Sequence, residues 1–492
     1  MAALRLADLI DGLATLVLPE GDWAGVEIGA ITADSRAVTK GALFAALPGA
    51  RADGRAFIAE ALARGAAAVL APRDMVWPAD VPLLPLLRAE TPRRALALIA
   101  ARLAGLRQPE IIAAVTGTNG KTSVATFLRQ IWARAGYRAG SLGTLGLEAP
   151  GFPPGPSLTT PDPVALATTL AALAEAGITH LAIEASSHGL DQCRLDGVRL
   201  AGGAFTNLTR DHLDYHRDMD AYRAAKLRLF AALLPEGAPV AYATDLERES
   251  RAALEAIAAR RRLRLLGVGE GGDAIALERV TPLPDGQEIV IAAEGRRETL
   301  RLPLAGRFQA ENALIAAALA EALGARAAIA ALPHLTGARG RMERIARLAN
   351  GAAIYVDYAH TPDALARVLE ALRPHATGKL AIVFGAGGDR DPGKRPLMGA
   401  VVAARADRAI ITDDNPRSEN PALIRAAIRA ACPDATEIGD RRAAIAEAIA
   451  GLGAGDLLVI AGKGHEQGQI IGAETIPFDD AEVIRALIGR AL

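Results

Sequence analysis

The stretch "AVTGTNGKTSVATFLRQ", residues 113–129, decides how the chain is read. It closes an apolar segment, EIIAAV, and opens a helical pattern, so strand, glycine-bearing turn and helix follow as at the start of a mononucleotide-binding sheet. Gly120, Lys121 and Thr122 complete the end of the phosphate-loop pattern G-x-x-x-x-G-K-[ST], but Val115 stands where that pattern has its first glycine. Gly117 and Gly120 still permit a tight turn. Thr118 and Asn119 bring polar side chains beside successive backbone N–H groups, and the helix start at Lys121, Thr122 and Ser123 favours an anion. In this pattern Lys121 reaches outer phosphates and the Thr122 hydroxyl ligates Mg²⁺. The blander alternative is a strand–helix turn with a surface lysine, and the strand and helix on either side weigh against it.

Outward from this loop, 492 residues suggest about three domains at roughly 150 residues each. The loop's strand is followed by a helix at VALATTLAALAEAG and strands at THLAIEAS and AGGAFTNL, which predict a mainly parallel sheet covered on both faces. The texture changes at LTGARGRMERIARLANG. A second alternation follows, with strands at AAIYVDY, KLAIVF, RAIIT and DLLVIA, each ending in a polar or glycine-rich turn. That pattern predicts a doubly wound sheet with ligands at the carboxyl ends of its strands. The expected fold class is α/β with three domains: a smaller N-terminal α/β unit (1–105), a central phosphate-loop sheet (106–335) and a C-terminal Rossmann-like sheet (336–492).

Composition narrows the function classes. With 51% hydrophobic and 23% charged residues, the chain is ordinary globular material. Lys plus Arg (55) nearly equals Asp plus Glu (56), so no overall field favours nucleic acid. Cys193 and Cys432 are the only cysteines, which excludes a disulfide framework and fits a reducing compartment. The N-terminal residues lack a signal-peptide layout, and no apolar run is long enough to span a bilayer. A cytoplasmic protein, monomeric by default, is the expectation.

Further motifs occur in a fixed order: DSR at 34–36, TTP at 159–161, EASSHGLDQCR at 184–194, TNLTRDHLDYH at 206–216 and AAKLRLF at 224–230. They continue with GRFQAENALIA at 306–316, GRMER at 340–344, VDYAHTPDAL at 356–365, FGAGGDRDPGKR at 384–395, DDNPR at 413–417 and GKGHE at 462–466. With the G-T-N-G-K-T-S loop, this series resembles the Mur ligases and folylpolyglutamate synthases, which couple ATP cleavage to amide-bond formation. Val115 in place of glycine is then the family's own form of the loop. Within the family the series is similar to the branch that adds meso-diaminopimelate to UDP-N-acetylmuramoyl-L-alanyl-D-glutamate.

The resemblance implies ATP and Mg²⁺ as cofactors, with Thr122, Glu184 and His212 as metal ligands. Lys226 is the most conditional assignment. Its apolar neighbours favour a free amine, yet from the residues alone a lysine with its head in water is the simpler reading. The resemblance reverses this, implying a carbamylated Lys226 that offers oxygens to a hard cation. It also places the UDP end at Ser35 and the muramoyl-dipeptide near Thr159, Thr160, Ser186, Gln192 and Arg194. Asn312 and Asp357 go to the adenosine, and Arg341 to the phosphates. Diaminopimelate is assigned to Asp414, Asn415, Pro416, Arg417, Arg390, Gly462 and Glu466. An arginine at the end of DNPR matches the distal carboxylate that lysine lacks. Asn420 departs from the acidic residue common at that place, with little expected consequence.

Four rivals remain open on the sequence. They are a lysine-adding ligase, a folylpolyglutamate synthase, a nucleotide-driven switch without a visible guanine-reading motif, and a dehydrogenase argued from GAGGDR. Arg390, Lys394 and Arg395 around that last fragment suit carboxylate binding instead.

Overall fold

The computed structural model describes residues 3–13, 16–17, 23, 25–49, 52–153, 155 and 158–489. The N-terminal stretch read for a signal sequence lies partly outside these residues. Among the described residues no helix is long and apolar enough to cross a membrane.

Among the described residues three large sheets carry the chain, beside two two-stranded ones. The first runs Leu16–Val17, Leu86–Ala89, Ala66–Pro72, Ala42–Ala45, Ala30–Thr32 and is parallel after its first pair. The second is built on Ile111–Thr116. This strand is buried over all but its first residue, as a continuous apolar run with both faces covered should be. His180–Glu184 and Gly202–Phe205 flank it in parallel, so the chain leaves it toward both sides. The loop after Thr116 therefore opens at the sheet's switch point, where ligands bind in such folds.

Helices Lys121–Arg134 and Arg307–Ala322 pack together on one face of this sheet, burying Phe127, Leu128, Trp132, Leu314 and Leu319. The other face is closed by Leu166, Leu170, Leu190, Tyr222 and Phe230. The expectation of a mainly parallel sheet needs an addition at each edge, the first being Gly146–Glu148 paired antiparallel with Ala139–Gly143. Ile275–Leu283, Gly286–Ala293 and Arg296–Leu302 form an antiparallel meander on its far edge, making ten strands in all. Glu294 and Gly295, at φ 50° and 74°, make a two-residue turn with both positions left-handed, the twist that suits a tight hairpin.

The third sheet is ordered Glu343–Arg347, Ala353–Asp357, Leu457–Ala461, Leu380–Phe384, Arg408–Ile411, Thr436–Glu437, parallel except at Glu343–Arg347. Its four central strands are those expected from the sequence. Their carboxyl ends release Asp357, Gly462, Gly385 and Thr412 on one side of the sheet. Two seams tie this sheet's unit to the central one. The Gln130 amide pairs with the backbone of Thr336 at 2.9 and 2.8 Å. His375 accepts the Gly306 N–H at 2.9 Å and donates to the Leu283 carbonyl at 2.8 Å.

Candidate active site

The loop is shaped from behind by the TNLT segment. Thr118 N–H donates to the Asn207 carbonyl (2.9 Å) and Asn119 N–H to the Asn207 side chain (2.9 Å). The Thr118 hydroxyl bonds Tyr222 and the Thr209 carbonyl, both at 3.1 Å. Thr118 and Asn119 thus spend their amides inside the protein, instead of lining them up for a ligand as the sequence suggested. Gly117, at φ 148°, has no room for a Cβ, which would collide with the Thr206 hydroxyl. Helix Lys121–Arg134 begins at Gly120 with no side-chain cap, so its first-turn N–H groups are the donors left to an anion.

Two amines converge on one carbonyl. Lys121 Nζ donates to Gly117 O (3.0 Å) and Thr118 O (2.8 Å), and Lys226 Nζ to Gly117 O (2.7 Å). Lys226, on helix Met219–Arg228, is 1% exposed, and its Nζ lies 4.4 Å from the centre of the Tyr222 ring. Among the described residues no carboxylate forms an ion pair with either lysine. Burial lowers the Lys226 pKa well below the usual value, aided by the charge of Lys121, while Asp211 opposes the shift. Burial also lowers Lys121, against the pull of Glu184. A lowered amine pKa is the direction that carbamate formation needs.

Glu184 ends its strand 2% exposed, accepting from Thr144 N–H (2.8 Å) and the Thr144 hydroxyl (3.2 Å). His212 sits at φ 53°, partly exposed, edge-on to His188 with ring centres 5.0 Å apart. His188 in turn lies 5.6 Å from His216, a grouping the sequence did not single out. Among the described residues no group of three or more His, Cys, Asp or Glu is placed to hold a metal alone. The remaining donors are hard oxygens: the buried Thr122 hydroxyl, the Glu184 carboxylate and the unpartnered buried Thr116 hydroxyl. That donor chemistry fits Mg²⁺ shared with phosphates. Ser123 is buried in the same first turn.

The expected dipeptide residues form one connected network. Thr159 bonds Thr144 (3.0 Å), and Thr160 bonds both the Glu184 carbonyl (2.8 Å) and Ser186 (3.0 Å). Ser186 caps the short helix Ser187–Asp191 through Gly189 N–H. Arg194 donates to the Thr160 carbonyl (2.5 Å) and to Gln192 (2.9 Å), and Gln192 reaches Tyr215 (3.2 Å). Ser35 stands apart from these residues. It is buried, and its hydroxyl bonds Glu60 at 2.9 Å.

Asn312 and Arg341 close the loop's other side. A Cβ on Gly120 would sit 2.5 Å from Asn312 Oδ1, so Asn312 lies directly on the loop. Arg341 covers the Tyr358 ring at 4.8 Å, leaves its buried Nε unpartnered, and is close enough to Lys121 to depress its pKa. Asp357 is buried, with its two oxygens accepting N–H groups of Met342 and Ala359 at 2.8 Å each. Gly462 N–H reaches the Asp357 carbonyl (3.2 Å), linking this side to the next group.

Asp414, Asn415 and Glu466 surround a lysine that the sequence reading passed over although its motif was noted. Lys463 is fully buried, donating to Asn415 (2.8 Å) and the Gly468 carbonyl (2.8 Å), with Asp414 at 3.6 Å and Glu466 at 3.7 Å. Asn415 completes the set by donating to Glu466 (2.9 Å). Gly462 has no space for a side chain, since a Cβ would stand 2.6 Å from Asp414. After Pro416, Arg417 holds φ 52°, where a non-glycine residue costs about 1–3 kcal/mol. Its guanidinium donates to the Gly388 carbonyl at 2.8 Å. Arg390, on the facing loop, is exposed and has no carboxylate partner among the described residues.

The cluster of three cations around GAGGDR needs correcting. Arg395 is 6% exposed and paired through two 2.8 Å bonds with Glu419, and Lys394 donates to the His360 carbonyl (3.0 Å). Both are engaged in the fold, which leaves Arg390 from that loop. Asn420 caps helix Pro421–Arg429 by accepting the Ala422 N–H, a task asparagine performs as well as an acid.

Comparison with known proteins covers most of the chain. Family models described as "Mur ligase family, catalytic domain", "Mur ligase middle domain" and "Mur ligase, glutamate ligase domain" match residues 27–105, 115–320 and 340–464. The chain is 56% identical over 471 residues to the UDP-N-acetylmuramoyl-L-alanyl-D-glutamate--2,6-diaminopimelate ligase of Caulobacter vibrioides, covering 94% of this chain and 96% of that relative. A solved structure of a ligase of that name is similar over 100% of this chain and 99% of its own, with TM-score 0.74 and 31% identity. The Mycobacterium tuberculosis folylpolyglutamate synthase complexed with ADP and AMPPCP shares the fold over 81% of this chain and 95% of its own, with TM-score 0.61 and 20% identity.

Proposed function

The chain belongs to the Mur ligase family, and on that premise we propose how its residues join 2,6-diaminopimelate to UDP-N-acetylmuramoyl-L-alanyl-D-glutamate. It is an ATP-dependent ligase. In this proposal the units up to about residue 105, from there to about 335, and beyond it serve the UDP-linked substrate, ATP and the amino acid.

The observation that carries the assignment is the convergence of Lys121 and Lys226 on the Gly117 carbonyl, at the start of a helix whose first turn has no side-chain cap. Lys121 and the uncapped first turn, with Thr122 and Ser123, bind the triphosphate. Thr118 and Asn119 keep the loop open by bonding to Asn207. Asn312 and Asp357 take the adenosine. The D-glutamate γ-carboxylate attacks the γ-phosphorus, ADP leaves, and an acyl phosphate forms. The amine of diaminopimelate then adds to the acyl carbon, loses a proton and expels phosphate. Lys121 and Arg341 offset the repulsion between carboxylate and triphosphate and place them in line.

Thr122, Glu184, His212 and a carbamylated Lys226 would hold Mg²⁺, which when bound neutralises phosphate charge. The muramoyl-dipeptide lies along Thr159, Thr160, Ser186, Gln192 and Arg194, with its uridine toward Ser35. Asp414 and Glu466 take the ammonium of one amino-acid head, and Arg417 with Arg390 takes the distal carboxylate.

The test is phosphate release with ATP and the UDP-linked dipeptide present and the amine varied. Release stoichiometric with product should require meso-diaminopimelate and be weak with lysine. A preference for lysine, or for a folate substrate, would overturn the assignment.

A further inference from the structure

Arg390 and Arg417 stand on separate loops, yet the two residues beside them touch. Ser418 Oγ donates to Asp389 Oδ1 at 2.6 Å, and Ser418 N–H to Asp389 Oδ2 at 3.2 Å. Asp389 immediately precedes Arg390, and Ser418 immediately follows Arg417. This contact therefore fixes the spacing between the two guanidinium-bearing residues.

Other bonds join the same loops. Gly388 N–H donates to the Asn415 carbonyl (2.9 Å), and a Cβ on Gly388 would collide with the Pro416 carbonyl. Glu419 accepts the Asp389 N–H (2.6 Å) while its carboxylate is held by Arg395. Asp389 and Arg417 both hold φ 52°, a conformation that persists only where neighbours over-determine it. Asp389 is held there by Ser418 and Glu419, and Arg417 by backbone bonds to Ile470 (3.0 Å) and Gly472 (2.7 Å) and by its guanidinium on Gly388. Hydrogen bonding from Ser418 also holds the Asp389 carboxyl below its usual pKa, so it remains an ionised acceptor.

We propose that Asp389 and Ser418 form a buckle between the two loops, a pair of positioning residues that sets the distance between Arg390 and Arg417 and so the selection of a distal carboxylate on the amine substrate. Neither residue touches the substrate. The inference rests on the assignment of Arg417 and Arg390 to that carboxylate, and its test separates the two.

The full-length enzyme is assayed as wild type, Ser418→Ala, Ser418→Thr, Asp389→Asn and Arg417→Ala, with meso-diaminopimelate and with lysine. Ser418→Ala should lower the diaminopimelate-to-lysine ratio of kcat/KM by about tenfold, the loss of one hydrogen bond to a charged group. The loss should fall mainly in KM for diaminopimelate, with KM for ATP and for the UDP-linked dipeptide steady. Ser418→Thr keeps the hydroxyl and should stay near wild type, whereas Asp389→Asn tolerates left-handed φ but keeps one acceptor oxygen and loses the charge, so its ratio should fall between wild type and Ser418→Ala. If Arg417→Ala collapses the ratio and Ser418→Ala leaves it unchanged, the buckle is wrong and the substrate assignment stands. If Arg417→Ala also leaves it unchanged, the assignment itself fails. A fall in Ser418→Ala that is equal for both amines, or that tracks a lowered Tm, would make the contact merely structural and overturn the proposal.

Discussion

The loop at Gly117 and the pocket at Lys463 handle buried lysines in opposite ways. Lys121 and Lys226 have backbone carbonyls for partners and no ion-paired carboxylate among the described residues. Lys463 has Asp414 and Glu466 within 3.7 Å, and below it Arg441 and Asp480 form a fully buried pair at 2.7 Å. Carbonyl dipoles hold the Lys121 cation without cancelling its charge, which under the proposed assignment stays available to a triphosphate, whereas the buried Lys226 amine is the group that would become a carbamate. The pocket sets Lys463 and Arg441 against the carboxylates of Asp414, Glu466 and Asp480, and among the described residues Arg417 and Arg390 stand beside it without an ion-paired carboxylate. Under the proposed assignments, that difference separates a loop that takes a triphosphate from a pocket that takes a zwitterion with an extra carboxylate.

Removing the Lys121 charge should do the most damage. Lys121→Ala is expected to lower kcat by about three decades or more, the scale of a lost transition-state cation. Binding of the UDP-linked dipeptide, followed by calorimetry, should be nearly unchanged. Lys226→Ala should be similarly crippled but partly rescued by added short carboxylates, which no loss of packing would explain. Near-normal turnover in Lys121→Ala would dissolve the contrast between the two regions.

Arg417→Ala probes the pocket. Leaving the distal carboxylate desolvated and unpaired costs roughly 3–5 kcal/mol, about two to four decades in kcat/KM for diaminopimelate. Lysine should lose little, because it has no group there. Side-by-side assays at saturating ATP and dipeptide read the effect, and equal losses for both amines would mean that Arg417 supports the fold.

How much of this was open to reading depends on the range of the interaction. The strands Ala353–Asp357, Leu380–Phe384 and Leu457–Ala461 are legible because each is a contiguous apolar run stopped by a polar or glycine-rich turn. The edge meander was missed although Pro284-Asp285-Gly286 and Glu294-Gly295 mark its turns, because its strands look polar on the solvent face. The candidate site residues stand out as motifs, but their partners do not. Whether Thr118 and Asn119 offer amides outward depends on Asn207, and whether Arg395 is free depends on Glu419. Each is a contact between segments distant in the chain, which local pattern cannot express. Lys463 was hidden for the same reason, since nothing adjacent in GKGHE announces that its amine lies under Asn415.

The smallest expected effect lies where the two charge regimes meet. His465 stands between them, its ring 5.1 Å from Tyr358 and its buried Nδ1 unpartnered. Burial, then the charges of Arg341 and Arg339, lower its pKa to about 4. In the unfolded chain the same ring titrates near 6.5. As pH falls from about 6.5 toward 4, the unfolded state therefore takes up a proton that the folded state refuses, and stability drops across that window. Above pH 6.5 both states are neutral and the contribution is complete. His465→Gln removes the titration, so its apparent Tm should decline less than wild type's between pH 7 and pH 5, by about 2–4 °C. Parallel curves for the two proteins would show that His465 meets its proton at an ordinary pH, despite its burial and the charges of Arg341 and Arg339.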